Sequence, residues 1–349
     1  MKTEVSMDGT KFLINGRLTY ESAAAPIQGM LLNSRMVQAV FDDECPETRE
    51  RWRYPDTGEW NPDRNTNEFC ATLPVYRDHG LLAVTVGLQG GGSVYDADVY
   101  DRYVNSVFAP DGEFKQPYFD RLTRILKAAD DLGMIVIVNY FYWKQIEKMP
   151  DDDVVLDVTA RTTEWLLQSG FRNILVDVAN EAHAFWKRDL FLPENVHRVL
   201  DVAMNTTVGG RRLLCSVSTS GGKQLPVGKW LEMEDFSLPH GNGCSAEQLT
   251  AKLNQLKGTS EHKARPRPVM VNEDGISMDN FDAATASGCS WGFYAQGYGS
   301  GYGEWGKRER EKTYDALSGY QTVPINWSIN TPAKKAFFDK ARELTGGAG

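Results

Sequence analysis

Ile174-Leu175-Val176-Asp177-Val178-Ala179-Asn180-Glu181 is a short apolar run that ends abruptly in an amide and an acid. The pattern returns in Pro268-Val269-Met270-Val271-Asn272-Glu273. Working outward from these two stretches, further short apolar runs lie at Ile27–Leu32, Leu82–Leu88, Met134–Tyr140, Leu213–Ser218, Asp235–Pro239 and Cys289–Phe293. Longer amphipathic stretches separate them, at about 66–79, 118–132, 154–169, 194–206, 224–233, 246–257, 278–286 and 331–345. Alternation of this kind implies parallel strands joined by helical crossovers. Eight strands, each followed by a helix, is the count of a closed α/β barrel, whereas an open doubly wound sheet usually has fewer units and a glycine-rich first turn.

The predicted fold is therefore α/β, a (β/α)8 TIM barrel formed by residues 1–349 as one catalytic domain. Gly80, Gly133, Gly170, Gly258 and Gly288 stand where helices would end in a left-handed cap. Lys11–Ile14 and Arg17–Glu21 flank Asn15-Gly16, which predicts an N-terminal β-hairpin over about 11–21 that covers one end of the barrel. The Gly346–Gly349 tail reads as frayed.

Long connections follow strands one (about 33–65), two (about 89–117) and eight (about 294–325). All three run from strand to helix, so they sit on the face where barrels place their chemistry. They carry Trp52, Tyr54 and Trp60; Tyr95, Tyr100, Tyr103 and Phe108; Tyr294, Tyr298, Tyr302 and Trp305. Rings in such loops either stack on sugars or pack the loops against one another.

The chain has 349 residues, with 41% hydrophobic and 24% charged residues, the balance of a globular protein with a sizeable core. Its formal charge of -9 and pI near 5.2 argue against a polyanionic partner such as nucleic acid. The basic run Lys307-Arg308-Glu309-Arg310 reads as a solvated face. Cys45, Cys70, Cys215, Cys244 and Cys289 are scattered and include no C-x-x-C pair, which points away from disulfides and zinc knuckles and toward a reducing, cytoplasmic setting. The N-terminal residues lack the apolar core of a secretory signal, and no stretch reaches the ~18 apolar residues of a membrane span. Neither a cofactor nor a metal is expected.

Glycoside cleavage passes through a cationic anomeric carbon and expels a poor alkoxide, so it needs two carboxyl groups in opposite protonation states. Glu181 ends the fourth run and Glu273 the seventh; across an eight-membered ring their tips face each other over the barrel mouth, at a separation suited to a retaining double displacement. Either glutamate alone would equally suit a solvated cap or a salt bridge.

This arrangement resembles the clan A retaining glycoside hydrolases, the cellulase-like barrels of family 5 and its relatives, over about Phe12 to Leu344. The resemblance implies a retaining glycosidase with carbohydrate as its partner. Glu181 would be the acid/base, Glu273 the nucleophile and Asn180 the contact to the sugar 2-hydroxyl. It also implies that Trp291, in Ser290-Trp291-Gly292, forms the floor under the cleaved sugar, the alternative being a core tryptophan. Two features depart from family 5. Ala182 follows the acid/base in place of proline, and strand two leads into Gln89-Gly90-Gly91-Gly92 without an arginine. Arg35, just past strand one, is the candidate to supply that charge. His240, after strand six, stands where relatives carry a residue beside the nucleophile. Asn139 and Tyr142 at the exit of strand three are weaker substrate contacts, and His183 and Trp186 shape a leaving-group subsite or begin the next helix.

Two competing readings remain. A metal-dependent barrel hydrolase needs clustered ligands, yet His79, His183, His197, His240 and His262 show no such spacing. A non-catalytic carbohydrate-binding barrel would keep the rings and lose one carboxylate. No Walker loop is present.

Overall fold

The computed structural model describes residues 1–90, 102–183, 186–297 and 312–347. Three short strands, β1 (Val5–Asp8), β2 (Lys11–Ile14) and β3 (Arg17–Leu18), form an antiparallel sheet in the order β1-β2-β3. Asn15 and Gly16 both take positive φ (53° and 76°) between β2 and β3, the geometry expected of that hairpin turn. The structure adds β1, which pairs with β2 on its other side.

The main sheet is parallel and holds seven strands: β4 (Asn33–Arg35), β5 (Ala83–Gly87), β6 (Ile135–Phe141), β7 (Ile174–Ala179), β8 (Leu214–Ser216), β9 (Met270–Val271) and β10 (Ser290–Phe293). Their order is β8-β7-β6-β5-β4-β10-β9. The gap between β8 and β9 is spanned by the sixth run, Asp235–Pro239, which pairs through single bridges, Ser218 with Leu238 and Ser237 with Val269. Pro239 has no N–H to donate, and beyond it the Gly241 N–H bonds to the Glu273 carbonyl. Together these elements are a (β/α)8 barrel.

Strand one is corrected: Ile27–Leu32 is irregular, and the pairing falls on Asn33-Ser34-Arg35. The apolar residues before it line the core, while the hydrogen-bonded register begins at the polar residues beyond.

Helices follow their expected places, at Pro62–Asp78, Gln116–Asp131, Asp152–Gln168, His197–Asn205, Gly228–Met233, Ala246–Gly258, Met278–Ala286 and Pro332–Thr345. Asn61, Asp151, Ser245 and Thr331 cap four of them by accepting a backbone N–H. Gly80, Gly133, Gly170 and Gly288 take the left-handed cap conformation. Gly258 does not; it is the last helical residue, and Thr259 beside it caps a short helix, Ser260–Ala264.

Strand alternation divides the core. Val84, Val86, Val136, Val138, Val176 and Val178 face the helices. Leu31, Ala83, Ile135, Ile137, Leu175, Leu238 and Met270 fill the barrel's lower interior together with Phe12 of β2, whose ring meets Phe236 edge-on at 6.1 Å. Phe12 is a stopper in the N-terminal end of the barrel. Its N–H donates to the Gly29 carbonyl and that of Val5 to the Arg172 carbonyl, which ties the small sheet to two sides of the rim.

The loop after β4 knits to the loop after β5. Trp52, Tyr54, Tyr103 and Phe108 are all buried; Trp52 meets Tyr103 edge-on and its indole N–H donates to Asp43. Trp60 stacks on Tyr54. For these rings loop packing is the correct alternative. Tyr95, Tyr100, Tyr298, Tyr302, Trp305, Gly91, Gly92, the Lys307–Arg310 run and the last two residues lie outside the described residues. No helix among those described is long and apolar enough to cross a membrane.

Candidate active site

The C-terminal ends of the strands bring together Arg35, Asn180, Glu181, His240, Asn242 and Glu273. Glu181 Oε1 lies 3.0 Å from His240 Nδ1, and Glu273 Oε2 lies 3.6 Å from the same nitrogen. One ligand atom each of Glu181, His240 and Glu273 falls within 4.8 Å of the others. The two carboxyl groups therefore converge rather than point apart.

Arg35, the last residue of β4, reaches over with Nε 2.5 Å from Glu273 Oε2. Its Nη2 donates to Asn180 Oδ1, so one guanidinium joins the ends of the fourth and seventh strands. The other Glu273 oxygen accepts from Asn242 Nδ2 at 2.9 Å. Both oxygens of Glu273 are thus met by donors.

Glu181 is in a different environment. Burial pushes its carboxyl up to about 7, against the opposing pull of Arg35 and Lys252. Burial also takes His240 down to about 3, with Arg35 and Lys252 lowering it further and Glu273 opposing, so the ring is neutral at ordinary pH. A neutral imidazole accepts at Nδ1 from a protonated Glu181 or donates to an ionised one. Lys252, buried on helix Ala246–Gly258, fixes the loop by donating to the His240 carbonyl at 2.7 Å.

The remaining expected contacts fall elsewhere. Trp291 is a correction: Ser290 and Gly292 take the inward positions of β10, so Trp291 turns outward. It is fully buried among Phe281, Phe293 and Phe337, with its indole N–H on Asp274. The inward side of the strand continues to Tyr294, whose ring lies under Arg35 at 5.8 Å. Asn139 is also corrected: it points into the barrel and donates to the Asp177 carbonyl at 3.2 Å, beneath the mouth and 1% exposed. Tyr142 is half-buried at the exit of β6, with its ring tilted against Trp143. His183 packs on Trp230, and Trp186 folds back to bond the Glu181 carbonyl.

Sequence reasoning names Tyr294 only as one of the loop rings and passes over Asn242, Ser218, Lys252 and Asp177. The last leaves a signal, an acid at an inward position of an otherwise apolar run. Asp177 is fully buried, and burial pushes it to about 7 against the pull of Arg35.

No protein-family model matches the chain, and no curated protein matches it. Solved structures do. A glycoside hydrolase family 5 protein from Bacteroides vulgatus is 14% identical, covering 88% of this chain and 66% of that one, at TM-score 0.52. A broad specificity endoglucanase from Clostridium longisporum is 9% identical over 94% of this chain and 99% of that one, at TM-score 0.56. A beta-glucosidase from Thermotoga maritima, in complex with castanospermine, is 11% identical over 91% and 98%, at TM-score 0.52. At such identities the likeness is one of fold. The chain shares with these glycoside hydrolases a (β/α)8 barrel fold.

Proposed function

We propose that the chain is a retaining glycoside hydrolase that cleaves a β-linked glycan or oligosaccharide through a covalent glycosyl-enzyme. One observation carries the reading: carboxylate oxygens of Glu181 and Glu273 lie within 4.8 Å of each other at the barrel mouth, close to the ~5 Å spacing of a double displacement. The neighbours' names, an endoglucanase and a beta-glucosidase among them, support the substrate class.

In this mechanism Glu273, held by Arg35 and Asn242, attacks the anomeric carbon. Glu181 is protonated at neutral pH and below, and it delivers its proton to the leaving oxygen. After departure of the aglycone, the same carboxylate takes a proton from water, which then attacks the anomeric carbon and releases Glu273. His240 sits beside Glu181 in both steps and follows its protonation by switching between acceptor and donor. Asn180 meets the 2-hydroxyl with the amide edge that Arg35 leaves open.

A 2-deoxy-2-fluoroglycoside with a dinitrophenolate leaving group tests the proposal. Mass spectrometry of a digest should find the sugar on Glu273, and NMR of a turned-over substrate should show the β anomer first. Absence of labelling together with an inverted product would overturn it. The Glu181–His240–Glu273 group also has the composition of a divalent-metal site, which favours a second reading as a metal-dependent hydrolase. Arg35 against Glu273 opposes a second positive charge there. Loss of activity on chelation, restored by metal, would favour the second reading; a non-catalytic carbohydrate-binding barrel would show neither labelling nor turnover.

A further inference from the structure

Glu181 occupies left-handed backbone, at φ 57°. Residues with a β-carbon rarely hold that conformation unless their surroundings impose it. Here two side chains grip the peptide groups on either side. Ser218, just past β8, bonds to the Asp177–Ala182 segment through every polar group it has. Its N–H donates to Asp177 Oδ1 (2.9 Å), and its Oγ accepts the Glu181 N–H (3.1 Å) and donates to the Ala179 carbonyl (3.2 Å). Its own carbonyl accepts the Ala182 N–H (3.0 Å). From the opposite side, the Trp186 indole N–H donates to the carbonyls of Glu181 (2.8 Å) and Asn180 (3.2 Å). The Trp186 ring is itself pinned by a stack on Phe191 at 4.1 Å.

The consequence is directional. In extended backbone, residue 181 would follow the alternation of β7, and its side chain would take whatever aim the strand gave it. The left-handed turn resets that aim, and in this structure the carboxyl ends beside His240 and opposite Glu273. Asp177, fully buried and within the electrostatic reach of Arg35, fixes the Ser218 backbone from inside the barrel.

We infer that Ser218, anchored by Asp177, and Trp186 form a clamp that sets the direction of the Glu181 carboxyl, and that both are positioning residues for its proton transfer. The inference rests on the glycosidase reading for its kinetic consequence, and on the geometry alone for its effect on Glu181. A misaimed acid harms only those steps that need its proton, and a displacement of ~1 Å costs on the order of 100-fold in such a step. A purely structural role would lower all rates alike.

Ser218→Ala is the decisive variant, read in two ways. The first is NMR titration of the Glu181 carboxyl. The titratable and charged groups facing it among the described residues are His240, Glu273, Arg35 and Lys252, beside the backbone N–H of Gly221, and the substitution changes none of these groups. Burial is the largest cause of its raised pKa, so release from the clamp toward the mouth should lower its titration from about 7 by about one unit or more. An unchanged titration overturns the inference. The second reading is leaving-group dependence. In Ser218→Ala, kcat/KM for a dinitrophenyl glycoside should stay within about threefold of the wild type, while that for an alkyl glycoside falls about 30- to 100-fold. A uniform fall overturns the inference. Ser218→Thr keeps the hydroxyl and should restore both readings, and equal losses in the two variants count against the clamp. Should Ser218→Ala fail to fold, Trp186→Phe removes only the indole N–H and is read by the same two measurements. A wild type that hydrolyses no glycoside removes the proposed function, and the titration still decides the clamp.

Discussion

Arg35 Nε and Glu273 Oε2 are 2.5 Å apart, and both side chains are almost entirely buried, at 3% and 8% exposure. The pair spans the first and seventh strands, so a single ion pair ties one side of the barrel mouth to the residue proposed as nucleophile. Breaking a buried pair by removing one partner leaves the other charge without compensation. Arg35→Gln should therefore lower stability by ~3–5 kcal/mol in denaturant unfolding and reduce kcat/KM by about 100-fold or more. Arg35 also lowers the Glu181 titration. Its removal should move the basic limb of the pH–rate profile to higher pH; a limb that moves the other way would refute the shared electrostatics.

Glu181 titrates at about 7, pushed up chiefly by burial. A general acid is active only while protonated, so kcat/KM for an unactivated glycoside should be level below neutral pH and fall tenfold per unit above it. Glu181→Ala should abolish that limb and cost about 100- to 10,000-fold on an unactivated glycoside. Dinitrophenyl glycosides should still form the glycosyl-enzyme, and azide should accelerate its breakdown to a β-glycosyl azide. Full activity of Glu181→Ala on a native oligosaccharide would show the role to be misassigned.

Asp177 should leave a trace in stability. Burial raises its folded-state pKa from 3.8 to about 7, so between those values the folded chain holds a proton that the unfolded chain has released. Stability from this group is complete below pH ~4 and is lost as pH rises through about 7. Asp177→Asn keeps the acceptor for the Ser218 N–H and has no such proton. Relative to the variant, the wild type should lose on the order of 2–4 kcal/mol between pH 4 and pH 8, measured by urea unfolding at fixed ionic strength. A pH-independent difference would mean the carboxyl is ionised throughout.

Phe12 fills the lower barrel from outside the main sheet. Phe12→Ala should cost ~3–5 kcal/mol through the cavity it leaves, with kcat and KM of the folded enzyme unchanged, because the ring lies at the end of the barrel opposite the carboxylates. A change in KM greater than about threefold would contradict that separation.

The two quoted stretches expose most of the fold because they are continuous apolar runs, the form a strand takes when both of its faces are buried. Ile174–Ala179 matches β7 residue for residue. Hydrophobicity misplaces strand one because the paired residues there, Asn33-Ser34-Arg35, are polar yet buried. It overstates strand six, which pairs only through single bridges at Ser237 and Leu238. The carboxylate pair is legible because each glutamate closes an apolar run. Arg35 and His240 are named through the resemblance to relatives, but Asn242 has no pattern to announce it, since a loop amide that reaches across to a neighbouring strand leaves no periodic mark. Trp291 was assigned by resemblance, and strand alternation reverses it: Gly292 must face inward, where a β-carbon would sit 2.7 Å from the Asn272 backbone, and so its neighbour faces out.

With Phe12 seated in its floor and the N-terminal strands strapped across the rim, the barrel is a cup rather than a tube. Among the described residues that end is closed, so on the proposed reading substrate would enter, and both fragments would leave, on the side of Glu181 and Glu273, and a product slow to depart would delay the next arrival.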